Sequence, residues 1–232
     1  MNPIAQELNQ IIEKGNPHVL EMLSEIGKAI FFPKGILSQS AEAKEKAHRL
    51  NATIGIAKEG GHTMHFDSVM ETIKDIPPSQ SLTYAPSFGI PDLRNVWQDS
   101  IYAKNDSLSG KPVSLPVVTC GITHGISMFG DLWLDPGDVV ILPDMMWGNY
   151  NMVLGLRKGA RISSYPIFTD QGSYNLDALE NVVREEATQN SKITVLLNFP
   201  HNPTGYTLTK SEGDRLADIL TDVAGKGTNV IA

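Results

Sequence analysis

The sequence predicts an α/β fold, a parallel or mixed sheet flanked by helices, with a helical arm in front of it. Three observations carry that expectation. From residue 115 onward, short apolar runs of strand length alternate with longer stretches whose apolar residues recur at helical spacing. The runs are continuously apolar, as in strands buried on both faces, rather than alternating apolar and polar. The composition, 41% hydrophobic and 19% charged over 232 residues, is that of a globular chain long enough to bury a core.

Charge and cysteine content narrow the class. A net charge of −7 argues against nucleic acid or an anionic membrane as partner. The lone Cys120 can form no internal disulfide and suits a reducing compartment. Beside an apolar stretch, it is expected to be a buried thiol. Glu7 and Glu13 interrupt the first apolar pattern, so no leader is read there, and no apolar run reaches spanning length. The expectation is a soluble, cytoplasmic protein. His62 and His65 lie close together, but without a third ligand at matching spacing no metal is assigned.

Taken in order, Ile4, Leu8, Ile11 and Ile12 share a helical face, as do Leu20 and Leu23 with Ile26 and Ile30 less neatly. Residues 40–49 have high helix propensity, with Glu42/Lys46 and Glu45/Arg49 one turn apart. Residues 52–56 read as an extended segment, and Pro77-Pro78 marks a loop. Pro91 can open a helix carrying Leu93, Val96, Trp97 and Ile101 on one face, with Arg94 a structural residue. Strands are then expected at 115–119, 138–142, 161–165 and 193–197, with helices at 123–134, 147–156 and from 175 between them. Thr209 and Glu212 are spaced as a capping box before a helix with Leu216, Ile219, Leu220 and Val223 on one stripe. Residues 229–232 open another strand. The chain is therefore expected to be truncated within its sheet, with an open strand edge prone to self-association.

The candidate site residues lie where the strands end, as ligand sites of open α/β sheets do. After the fourth strand comes Asn198-Phe-Pro-His-Asn202-Pro-Thr-Gly205, in which Pro203 fixes φ and Gly205 permits a sharp exit. Taken alone, Asn-Pro-Thr-Gly is equally a stiff turn. Gly121-Ile122-Thr123 joins a strand to a helix, where glycine lets backbone amides approach an anion and the helix adds its positive end. It lacks the spacing of a Walker loop or a dinucleotide fingerprint. Trp147 follows the next strand and is either core or a stacking platform.

Together these segments resemble the class I and II aminotransferases, the superfamily of fold-type I pyridoxal-phosphate (PLP) enzymes that includes aspartate aminotransferase. The resemblance covers roughly residues 50–232. It rests on Asn198-x-Pro200-x-Asn202-Pro203-Thr204-Gly205, on Gly121-x-Thr123, on Pro136-Gly137-Asp138, and on Trp147 followed by Gly-Asn. It also rests on Tyr84-x-Pro86-x-x-Gly89-x-x-x-Leu93-Arg94. It implies a PLP-dependent transferase-like large domain. Residues 1–75 would be an N-terminal arm or part of a small domain, and 76–232 the first part of the cofactor-binding domain. It further implies that Gly121, Ile122 and Thr123 hold the cofactor phosphate, that Trp147 stacks on its ring, and that Asn202 donates to its phenolic oxygen. Tyr84 would reach the phosphate in the partner of a homodimer. Gly55, Trp147 and Asn202 would border an amino-acid or 2-oxo-acid substrate.

The family's Schiff-base lysine and its ring-nitrogen aspartate are expected beyond Ala232, because Lys192, Lys210 and Lys226 lack the right context. The resemblance thus implies an aminotransferase when complete, and a fragment that is itself inactive. Another fold-type I activity (C–S lyase, aminocyclopropane-carboxylate-synthase-like lyase or decarboxylase) shares the same loops. A non-catalytic module binding an anion or a partner is the alternative from another class.

Overall fold

The computed structural model describes residues 1–31, 36–51, 53 and 56–232. The chain divides into two compact units, Met1–Leu23 with Lys28–Val118, and Ser24–Gly27 with Thr119–Ala232. Of the segment 52–56, read as extended, residues 52, 54 and 55 lie outside the described residues, and the Gly55 substrate contact with them.

The first unit begins with α1 (Pro3–Gly15) and α2 (Pro17–Met22). Each opens on a proline, behind an asparagine whose side chain accepts from the first turn. α3 (Glu25–Ala29) straddles the division, and α4 spans Ile36–Lys46. Because α4 stops at Lys46, the Glu42–Lys46 pair forms at 2.7 Å, whereas Arg49 lies past the helix end. A two-residue ribbon of β1 (Lys58–Glu59) and β2 (His62–Thr63) leads to α5 (Asp67–Lys74). The Pro77-Pro78 loop closes one helical turn, α6 (Pro78–Ser81), and α7 (Pro91–Lys104) starts at Pro91 as the sequence predicts.

Residues 115–119 form no strand, contrary to expectation. Their backbone groups are taken by α7 and the loop before it. Arg94 Nε donates to the Pro116 carbonyl at 2.6 Å, and Val118 N–H donates to the Phe88 carbonyl at 3.1 Å. Upstream, Gln98 Nε2 donates to the Val113 carbonyl at 2.6 Å. A segment whose carbonyls and amides are bound this way is not ladder-paired, and Arg94 is the structural residue that binds it. Cys120, just beyond, is exposed rather than buried, because no strand at 115–119 brings a sheet layer over it.

The second unit is the doubly wound part. α8 (Ile122–Trp133) is followed by β3 (Val139–Pro143), a π-helical stretch at Asn151–Arg157, β4 (Arg161–Tyr165) and α9 (Leu176–Gln189). β5 (Lys192–Val195), α10 (Lys210–Gly225) and β6 (Asn229–Ile231) complete it. The helix predicted at 147–156 winds with the wider π repeat, a change for which the apolar pattern carries no sign. All described pairings of this sheet are parallel, in the order β4-β3-β5-β6.

Both faces are covered. Val139 and Ile141 point with Ile193 and Val195 into a core closed by Leu179 and Val183 of α9 and Leu216 and Ile219 of α10. Val140 and Leu142 point the other way, against Val153 and Leu154 of the π-helical stretch and Leu134 after α8. β3 is therefore buried along its whole length, which explains its unbroken apolar sequence. The connection after β3 runs to β4 on one side, and the connection after β5 runs to β6 on the other. The crevice between the carboxyl ends of β3 and β5 is the topological switch point.

Candidate functional site

Two loops flank that switch point. The loop after β3 is fixed at its start by Asp144, whose Oδ1 accepts from Met145 N–H at 2.8 Å and Ile167 N–H at 3.0 Å. It delivers Trp147, half-buried, with its ring edge-on to Tyr150 at 5.6 Å between centroids. Tyr150 is buried and its hydroxyl lies 3.4 Å from Asn198 Nδ2, the first residue of the other loop. Burial raises the Tyr150 pKa, with the Asn198 bond opposing, so the phenol stays protonated.

The loop after β5 is closed on itself. His201 N–H donates to the Tyr206 carbonyl at 2.7 Å, and Gly205 N–H donates to the His201 carbonyl at 2.6 Å. The Phe199–Pro200 and Asn202–Pro203 bonds are both cis. This turn holds Asn202 at its tip, exposed, with its amide free of hydrogen bonds to the described residues. His201, by contrast, is buried, and its Nδ1 lies 2.8 Å from Thr204 Oγ1. At the loop's exit the Tyr206 hydroxyl donates to Glu212 Oε1 at 2.7 Å, and Glu212 completes the capping box with Thr209 at the start of α10.

Gly121 is the N-cap of α8, with φ +118°. A Cβ added there would meet nothing within 4 Å, so glycine is required by the backbone conformation and not by crowding. Cys120 N–H donates to His124 Nδ1 at 3.1 Å, and Thr119 Oγ1 donates to the Gly121 carbonyl at 3.1 Å, bracing the turn from both sides. Ile122 and Thr123 form the exposed first turn, where backbone N–H groups have no intrahelical acceptor. Ile122, Gly125 and Ile126 share an apolar cleft of about 430 Å³ with Leu196 and Leu197, the residues leading into Asn198. The start of α8 therefore lies beside the exit of β5.

Gly121–Thr123, Trp147 and Asn202 all belong to the second unit: Trp147 follows β3, Asn202 follows β5, and Ile122 lies beside the exit of β5 with no strand leading into it among the described residues. Tyr84 belongs to the first unit and is fully exposed. His65 is engaged by Asp67 at 3.1 Å and the Thr63 carbonyl at 3.0 Å, and the described residues hold no metal-binding cluster. Lys192 pairs with Asp138, Lys210 with Asp214 and Lys226 with Asp222. Sequence reading missed Asp144, Tyr150 and His201. Asp144 could have been found from Pro-Asp at a strand exit, an Asx-turn signal. His201 sits inside the quoted motif, and only its burial reveals its use.

An open parallel sheet with polar loops on both sides of its switch point defines a class, the doubly wound α/β proteins that bind small molecules at their strand ends. The comparisons name the family. The model of the aminotransferase class I and II family matches residues 48–223, and the chain belongs to that family, whose members depend on PLP. It is 30% identical over 148 residues to a probable N-acetyl-LL-diaminopimelate aminotransferase of Bacillus subtilis, covering 64% of this chain and 35% of that protein. It is 26% identical over 192 residues to an aspartate aminotransferase of Bacillus sp. strain YM-2, covering 82% and 47%. Among solved structures, an aminotransferase from Anaerococcus prevotii superposes with a TM-score of 0.79 at 25% identity, covering 90% of this chain and 52% of that one. The cytoplasmic aspartate aminotransferase of Saccharomyces cerevisiae shares the fold with a TM-score of 0.69 at 18% identity, covering 89% and 50%. The chain spans about a third to a half of the length of the curated relatives it matches. Among the described residues, no helix is long and apolar enough to cross a membrane.

Proposed function

We propose that this chain is the first part of a PLP-dependent aminotransferase that moves an amino group from an amino acid to a 2-oxo acid, in the cytoplasm and as a homodimer. One observation carries the reading. Three segments of one unit offer groups suited to one cofactor: a glycine-capped helix start beside the exit of β5, a half-exposed tryptophan after β3 and a free amide on the closed turn after β5. The donor set fits the group. Unpaired first-turn amides and the positive helix end suit a phosphate dianion, the indole suits a pyridine ring, and the Asn202 amide suits a phenolate oxygen.

In this reading Gly121, Ile122 and Thr123 hold the phosphate. Trp147 fixes the ring plane, and Asn202 donates to the phenolic oxygen while bordering the substrate. When bound, PLP supplies the electron sink that lets an amino acid exchange its amino group. The chain's own part is to fix where that sink lies and to line one side with apolar surface. Tyr84 is assigned to the partner's phosphate across the dimer, with residues 76–232 as the cofactor-binding portion and 1–75 as the arm. No lysine or aspartate of this chain is assigned to the family's imine-forming and ring-nitrogen roles, so the 232 residues alone are read as inactive.

The test is to express the whole reading frame and supply a ¹⁵N-labelled amino acid with a 2-oxo acid, with and without PLP. Label recovered in the new amino acid, only with PLP, is the expected result. Release of label as ammonia would replace the transferase reading with a lyase, and no PLP dependence would overturn it.

A further inference from the structure

Trp147 and Asn202 act on one ligand only if their two loops hold a fixed spacing, and each loop alone is a surface turn. The residue between them is His201. Its main chain closes the turn that presents Asn202, through the Tyr206 and Gly205 bonds. Its ring leaves that turn and is buried between the two loops. On one side Nδ1 meets Thr204 Oγ1 at 2.8 Å, within its own loop. On the other side His201 lines a small cavity with Pro143 and Tyr150, the residues that bracket the Trp147 loop, and faces the backbone of Met145.

We propose that His201 is a positioning residue that ties the Asn202 loop to the Trp147 loop, so that ring platform and amide donor are held as one unit. The inference rests on the PLP reading above. A neutral imidazole is suited to the task because it carries one donor and one acceptor on opposite sides of a rigid ring. Burial lowers the His201 pKa and favours that neutral form, while the Met145 backbone opposes the shift. With Nδ1 accepting from the Thr204 hydroxyl, Nε2 carries the proton and can donate across to the neighbouring loop. A second tie runs parallel to it, since Asn198 reaches the Tyr150 hydroxyl and Tyr150 backs the Trp147 ring. Of these two ties, that of His201 lies within the turn that carries Asn202.

The test separates the ring part of the site from the phosphate part. PLP and inorganic phosphate affinities are measured on the 232-residue chain and on His201→Phe, His201→Asn and Thr204→Val. His201→Phe fills the volume without either hydrogen bond and should weaken PLP roughly tenfold. Asparagine again offers a donor and an acceptor and should recover most of that loss. Thr204→Val removes only the hydroxyl and should cost roughly threefold, which keeps the test decisive if His201→Phe does not fold. Inorganic phosphate, held on α8, should bind all four proteins equally. The proposal is overturned if Thr204→Val and His201→Phe leave PLP affinity unchanged, or if phosphate affinity falls in parallel with it. A parent chain that binds PLP no tighter than phosphate would instead sink the cofactor reading itself.

Discussion

Tyr206→Phe should destabilise the protein by about 1.5 kcal/mol, although it removes one oxygen atom and keeps the ring. The Tyr206 hydroxyl donates to a carboxylate oxygen of Glu212 at 2.7 Å and accepts from Tyr174 N–H at 3.3 Å. The first is a charge-assisted bond in a partly buried site, at the low end of the ~1.5–3 kcal/mol such bonds contribute. The second is long and adds a few tenths at most. The ring's stacking on Tyr174, 6.0 Å and 19° apart, and its edge contact with Phe168 survive in phenylalanine. Tyr206→Ala loses those as well and should cost about 3 kcal/mol.

Glu212 provides the internal control. It also accepts from Thr209 N–H at 2.8 Å, so Glu212→Gln and Tyr206→Phe touch the same bond from opposite ends. Urea unfolding of both single variants and the double variant should give a coupling of about 1 kcal/mol. Additive losses, or a Tyr206→Phe variant within about 0.3 kcal/mol of the parent, would refute the assignment of that bond.

Three further outcomes follow from the same contacts. Gly89→Ala should cost at least about 2 kcal/mol in a urea titration, because φ is +98° and the new Cβ would sit 2.2 Å from Val118 Cγ2; a variant as stable as the parent would show that the contact relaxes freely. Glu186 accepts both Arg161 amino groups, at 2.7 and 2.6 Å, and that arginine chiefly holds its carboxyl below the usual range. Its contribution is therefore complete above about pH 4.5 and is lost as pH falls through the folded value. Glu186→Gln should be clearly less stable than the parent near neutrality, with the gap closing as pH falls below about 4.5, whereas a constant gap would contradict the pairing. The Thr194 hydroxyl is buried with no partner among the described residues and belongs to a side chain lining the apolar cleft, so Thr194→Val should raise stability by about 1 kcal/mol. A loss in thermal or urea unfolding would mean that the hydroxyl is bonded.

Where local chemistry decides the structure, the sequence is readable. β4 at Arg161–Tyr165, the helix beginning at 175 and the Thr209–Glu212 box each follow from a few adjacent residues, and each forms as read. The parallel sheet follows from the rhythm of the second unit. Residues 115–119 carry Leu115, Val117 and Val118 and read as a strand, yet a strand needs a partner. Whether Arg94 and Phe88 take the backbone instead is a tertiary fact. The exposed Cys120 follows from the same miss. For the site, the turn chemistry of Asn202–Gly205 and the glycine at 121 mark where ligands could go. Burial of His201 and the Tyr150–Asn198 contact join residues from two strand exits, and spacing along one strand does not reveal them.

The central claim, that Gly121–Thr123, Trp147 and Asn202 form one cofactor site, is tested most directly by titrating PLP into the chain and into three variants, Thr123→Pro, Trp147→Ala and Asn202→Ala. Saturable binding by the parent is expected, weakened by each substitution, with only Thr123→Pro also weakening inorganic phosphate. PLP affinity unchanged across all three variants would contradict it.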